Sequence, residues 1–191
     1  SEETPNYQWV AGRLINYHLR KQVYDNFEPP HIREIARKNV DRGLYDPEFF
    51  SIYSDDEIDQ MEEFIKHERD EDMTYAAMEQ FRGKYLVQNR ATGEIFETPQ
   101  VAYMMIAATL FSKYPKETRL GYVKRYYDAI SRFKISLPTP VMAGVRTPQR
   151  QFSSCVLIET GDSLDSINAT ASSIVKYVSQ KAGIGIGAGS I

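Results

Sequence analysis

Ser154-Cys155-Val156-Leu157-Ile158-Glu159, then Ser163 to Lys181, then Gly183-Ile184-Gly185-Ile186-Gly187 read in turn as a β-prone apolar run, a run of helical period and a second short apolar run. Strand, helix, strand in that order predicts a β-α-β unit, because a crossover helix joins strands that point the same way. Asp162 or Ser163 is the expected helix cap, and Leu164, Ile167, Ala171, Ile174, Val175 and Val178 share one helical face. The other side holds Ser166, Asn168, Thr170, Ser172 and Ser173, small and uncharged. Such a face suits either exposure to solvent or close packing against another helix. The alternating glycines do not fit a dinucleotide fingerprint, since Ala188 and Ser190 stand where its third glycine would be needed, and there is no Walker lysine. They let a buried strand lie against another backbone or a ligand.

Upstream, Ile135-Ser136-Leu137-Pro138-Thr139-Pro140, with Gly144 and Pro148 beyond, argues against regular helix and sets a domain boundary. Residues 1–135 are expected to form a helical domain and residues 136–191 the start of a second, α/β domain. Within the first, Trp9, Val10, Ala11, Leu14, Tyr17 and Leu19 recur at helical spacing until Pro29-Pro30. Ile32, Ile35, Ala36 and Val40 form a second stripe closed by Gly43, and Asp46-Pro47 opens a loop. Ser54-Asp55-Asp56-Glu57 caps a third helix that buries Ile58, Met61, Phe64 and Ile65; its charged end, Lys66 to Asp72, reads as solvated. A helix at Thr74 to Phe81 precedes a hairpin over Lys84 to Glu97 with Gly93 in its loop. Thr98-Pro99-Gln100 starts the most apolar helix, Val101 to Phe111, and Pro115 starts another whose face is Leu120, Val123, Tyr127 and Ile130.

The composition, 42% hydrophobic and 26% charged over 191 residues, is that of a globular chain. A net charge of -3 offers no field for nucleic acid. No apolar run approaches the roughly 20 residues needed to cross a bilayer, so no membrane is expected as a partner. One cysteine cannot form an internal disulfide and no signal peptide is evident, which makes the cytoplasm the default compartment. The chain opens without methionine and closes on an apolar strand-like segment, so it is expected to be a piece of something larger.

Cys155 is either an inert small hydrophobe or a reactive thiol at the mouth of a strand. His18, His31 and His67 show no metal spacing with one another or with Cys155, and no metal site is expected. No serine carries a hydrolase elbow.

Several segments together closely resemble the large, catalytic subunit of class I ribonucleotide reductase. They are Phe133 to Pro140, Gly144-Val145-Arg146-Thr147-Pro148, Gln151 to Glu159, Gly161 to Ile167 and Ala182 to Gly189, with Tyr17-His18-Leu19-Arg20-Lys21, Phe27-Glu28-Pro29-Pro30, Gly83 to Arg90 and Glu117-Thr118-Arg119-Leu120 in the helical part. The resemblance covers essentially the whole chain. It implies an α+β chain in which a mainly helical domain with a β-hairpin is followed by the first β-α-β unit of a ten-stranded α/β barrel. It also implies reduction of ribonucleoside diphosphates to deoxyribonucleoside diphosphates by radical chemistry.

By the same resemblance Cys155 is one member of a redox-active pair whose partner lies outside this chain. Thr139, Ser154 and Gly183 match substrate-binding positions, and Asp162, Ser163 and Leu164 match the loop for the specificity effector, ATP or a deoxynucleotide, with Ser179 lining the same site. His18 and Lys21 match the last helix of the amino-terminal ATP-cone, most of which this sequence lacks. Implied partners are the remaining carboxy-terminal part of the large subunit, a second large subunit through helix 163–181, a small subunit bearing the radical cofactor, and thioredoxin or glutaredoxin as reductant. Ser190 and Gly187 stand where the family has arginine and asparagine, so effector contacts are expected to differ. The competing expectation is a non-catalytic helical interaction module whose cysteine is buried and structural.

Overall fold

The computed structural model describes residues 4–180 and 182–189. It is mostly helical, with two small two-stranded sheets among the described residues. The helix end expected at Lys181 and the departure at Ser190 lie outside the described residues.

Helix α1 spans Tyr7–Tyr24 and α2 spans Ile32–Asp41. His31 caps α2 by accepting the Arg33 N–H. Gly43, at φ 69°, closes it: its N–H donates to the Val40 carbonyl and the Leu44 N–H to the Asn39 carbonyl, a Schellman pairing that needs the left-handed turn. A short helix, α3 (Glu48–Ile52), stands where Asp46-Pro47 suggested only a loop; Pro47 is its N-cap, and Asp46 Oδ1 accepts the Glu48 N–H at 2.9 Å. Helix α4 (Asp55–Phe64) begins with a full capping box between Ser54 and Glu57. Glu57 also receives Arg119, which brings its carboxyl down to about 2.

A 3-10 turn, His67–Asp72, follows, then α5 (Tyr75–Gln80) running into a π-helical turn, Phe81–Tyr85. That turn takes Lys84 and Tyr85 away from the expected hairpin, which shrinks to β1 (Gln88–Asn89) against β2 (Glu94–Ile95). Helix α6 (Pro99–Leu110) is buried almost all round and forms the centre of the core, with α7 (Lys116–Ser131) beside it. The proline-rich stretch does hold a short helix, α8 (Thr139–Gly144), because Pro138 is its N-cap and Pro140 lies in its first turn, where no N–H partner is lost. Met142, Val145 and Arg146 are buried with the helical core, and Leu137, Val141 and Phe152 pack on it.

Two buried faces differ from expectation. Of the apolar set on α1 only Leu19 is buried; the helix meets the core through Gly12, Asn16, Leu19 and Arg20. A Cβ on Gly12 would meet the Met73 carbonyl oxygen well inside contact distance, so glycine is what allows this close approach. The charged run 67–72 is not wholly solvated either, for Asp70 has no exposed surface and accepts from Gln100 Nε2 at 2.8 Å.

The β-α-β unit forms as β3 (Cys155–Glu159), α9 (Leu164–Ser179) and β4 (Gly183–Gly187), with the strands parallel and Cys155 opposite Gly183. Thr170, on the small polar side of α9, is buried against Thr160, their hydroxyl oxygens 3.0 Å apart. The apolar face is largely open, Leu164 being 86% exposed and Val175 69%. No helix among the described residues is long and apolar enough to cross a membrane.

Candidate active site

Cys155 is the first residue of β3 and Gly183 the first of β4, so the register sets them side by side. The Gly183 N–H donates to the Ser154 carbonyl at 3.0 Å. A Cβ on Gly183 would stand 3.7 Å from Cys155 Sγ and 3.3 Å from that carbonyl, so glycine keeps the space beside the thiol open. Cys155 is a free, exposed thiol, and Ser154 is exposed beside it. This overturns the expectation of a buried structural cysteine. Thr139 is exposed at the first position of α8.

The proposed effector residues fall elsewhere. Asp162, Ser163 and Leu164 lie past the far end of β3, beyond a five-residue strand of about 15 Å. There the Thr160 N–H donates to the Gly187 carbonyl at 2.9 Å, and the Gly161 N–H to Ser166 Oγ at 2.8 Å. Ser163 is the N-cap of α9, its Oγ accepting the Ser166 N–H at 3.1 Å. Ser179 ends α9, so within one chain the whole helix separates it from Asp162; its Oγ donates to the Lys176 carbonyl. His18 and Lys21 are exposed on α1, where Lys21 Nζ is 3.0 Å from Asp25 Oδ1.

Beneath α8 lies a buried group that no motif marks. Arg146, Glu97 and Tyr45 are all fully buried. Arg146 donates to both oxygens of Glu97 and to the carbonyls of Met142 (2.6 Å) and Tyr85 (2.9 Å). Glu97 also accepts the Val87 N–H at 2.6 Å and the Tyr45 hydroxyl. Burial disfavours the charge on Arg146, but Glu97 beside it outweighs that cost, and the guanidinium stays protonated. In the sequence Arg146 stands out only as part of the Gly144-Val145-Arg146-Thr147-Pro148 segment.

Residues 71–150 match the family described as ribonucleotide reductase, all-alpha domain. Over all 191 residues the chain is 62% identical to ribonucleoside-diphosphate reductase 1 subunit alpha of Escherichia coli and 62% identical to the corresponding alpha subunit of Haemophilus influenzae. It is 52% identical to that of Enterobacteria phage T4, again over its full length. In each case it spans only about a quarter (25%) of the relative's length. The chain is thus similar over its whole length to the large subunits of ribonucleotide reductase, with the family's all-alpha domain matched at residues 71–150, and it spans about a quarter of the length of such a subunit.

Proposed function

We propose that this chain is part of a ribonucleoside-diphosphate reductase and supplies one redox cysteine, part of the substrate site and part of the specificity effector site. The observation that carries this reading is the pairing of an exposed Cys155 with a side-chain-free Gly183 at the open end of two parallel strands. In the reaction two thiols become a disulfide, the ribose C2′–OH becomes C2′–H, and the hydroxyl leaves as water. Cys155 gives one of the two thiol hydrogens, and its partner sulfur lies beyond this chain, which has no second cysteine. The Thr139 and Ser154 hydroxyls donate to diphosphate and ribose oxygens, and Gly183 lets the sugar approach the backbone.

Asp162, Ser163 and Leu164, with Ser179, bind ATP or a deoxynucleotide as specificity effector; Asp162 accepts from a sugar hydroxyl while N–H groups at the start of α9 face the anion. Because Asp162 and Ser179 stand at opposite ends of α9, a single site joins them when two copies pack α9 against α9 in opposite directions. His18 and Lys21 contribute to a second nucleotide site with sequence preceding this chain. The β-α-β unit opens an α/β barrel whose remaining strands cover Leu157 and Ile186. Further partners are a radical-bearing small subunit and thioredoxin or glutaredoxin, in the cytoplasm.

Reconstitution tests this reading: the chain is mixed with the remaining part of the subunit and the small subunit, and diphosphate reduction is assayed. Turnover that needs all three components is expected; an assembled complex without turnover would overturn it.

A further inference from the structure

The Arg146 guanidinium joins three pieces of backbone: α8 through Met142, the π turn through Tyr85, and the entry to α6 through Glu97. The chain just beyond it is also tied down, since the Asp46 N–H donates to the Arg146 carbonyl at 3.0 Å and Arg150 pairs with Asp46. A buried ion pair is a poor source of stability, because an apolar pair of similar volume often does as well or better. What an apolar pair cannot reproduce is direction, the fixed fork that holds several acceptors in one mutual geometry.

We propose that Arg146, clamped by Glu97, is a positioning residue that fixes Thr139 on one side of it and Ser154 and Cys155 on the other at a set separation across one substrate. This rests on the substrate-site reading above. The route toward Cys155 is short, packed as far as Phe152 and hydrogen-bonded through exposed residues beyond it. A Cβ on Gly144 of α8 would stand 3.3 Å from the Phe152 ring and 3.2 Å from the Gln149 side chain. Gln149 Nε2 donates to the Gln151 carbonyl and Gln151 Nε2 to the Ser153 carbonyl, both at 3.0 Å. A shift of Arg146 therefore moves the residues that lead into β3.

The test uses the full-length subunit with its small subunit and two variants, Arg146→Lys and the double variant Glu97→Leu/Arg146→Met. Lysine keeps the charge but cannot span three acceptors, so KM for the ribonucleoside diphosphate is expected to rise about tenfold with a smaller change in kcat. The double variant removes both charges but leaves the Val87 N–H, the Tyr45 hydroxyl and the Met142 and Tyr85 carbonyls unpaired, so it is expected to melt lower than wild type and, assayed well below its melting point, to keep kcat within a few-fold while KM stays raised. A wild-type KM in the folded double variant, or in Arg146→Lys with a lowered melting temperature, overturns the proposal. Should neither arginine variant fold, Glu97→Gln, which keeps an acceptor for Val87, gives the same reading. The broader function reading fails on a different variant, Cys155→Ser with full turnover, so the two failures are told apart.

Discussion

Asp70 sits in a run of charged residues that would ordinarily face water, yet it is fully buried, and burial pushes its carboxyl up to about 7 against the pull of Gln100 and Arg20. Its folded pKa lies above the ordinary 3.8, so the stability it contributes is complete below pH 3.8 and is lost as pH rises through about 7. The loss is on the order of 1 kcal/mol per pH unit in that window. Asp70→Asn removes it, so denaturant unfolding should find the variant gaining on wild type between about pH 4 and 7 and level above that; a constant difference across that window would refute this. His67 works in the opposite direction, since burial and the Arg20 charge bring it down to about 4 and its contribution is lost as pH falls from 6.5. Comparing variant with wild type at each pH isolates Asp70 from it. Nothing in the one-dimensional pattern marks Asp70: the turn that carries it packs against both α1 and α6, and α1 comes close to the neighbouring Met73 because residue 12 is glycine.

Two helical glycines make an element-scale contrast. Gly121 in α7 has open space where a Cβ would go, so Gly121→Ala should stabilise by about 0.5–1 kcal/mol through helix propensity. Gly12→Ala gains the same propensity but drives a methyl into the Met73 carbonyl, a clash costing about 1–3 kcal/mol, and should lower the melting temperature. Thermal unfolding of both variants checks the pair; a stable Gly12→Ala would mean that α1 is not seated as described. Helices with caps and a strong period were legible in advance: Ser54 with Glu57, Gly43, and Pro99 at the start of α6. Elements set by tertiary contacts were not. Helix α8 forms where the proline pattern argues against helix, and the π turn removes half of a hairpin strand. Helix α1 turns Tyr7, Leu14 and Tyr17 outward, while Gly12, Asn16, Leu19 and Arg20 face the core.

At the scale of the molecule, a well-filled helical core carries a β-α-β unit whose own apolar surface is uncovered. Leu157 is 85% exposed and Leu164 86%, with Val178 and Ile186 also open. A patch of this kind marks an interface. The chain produced by itself should therefore associate as its concentration rises in sedimentation velocity; a single monomeric species up to high micromolar concentration would contradict that. The candidate site was legible in outline, since the strand-helix-strand pattern placed Cys155 at a strand mouth. Its register against Gly183 and the clamp beneath α8 depend on contacts between distant segments, and only the fold revealed them.

The redox role of Cys155 rests on one sulfur atom. Cys155→Ser in the full-length subunit, assayed with the small subunit and a dithiol reductant, changes that atom for another of similar size, so folding is expected to be intact. Sustained ribonucleoside diphosphate reduction should be lost while the melting temperature stays unchanged. Full turnover by the serine variant would contradict it.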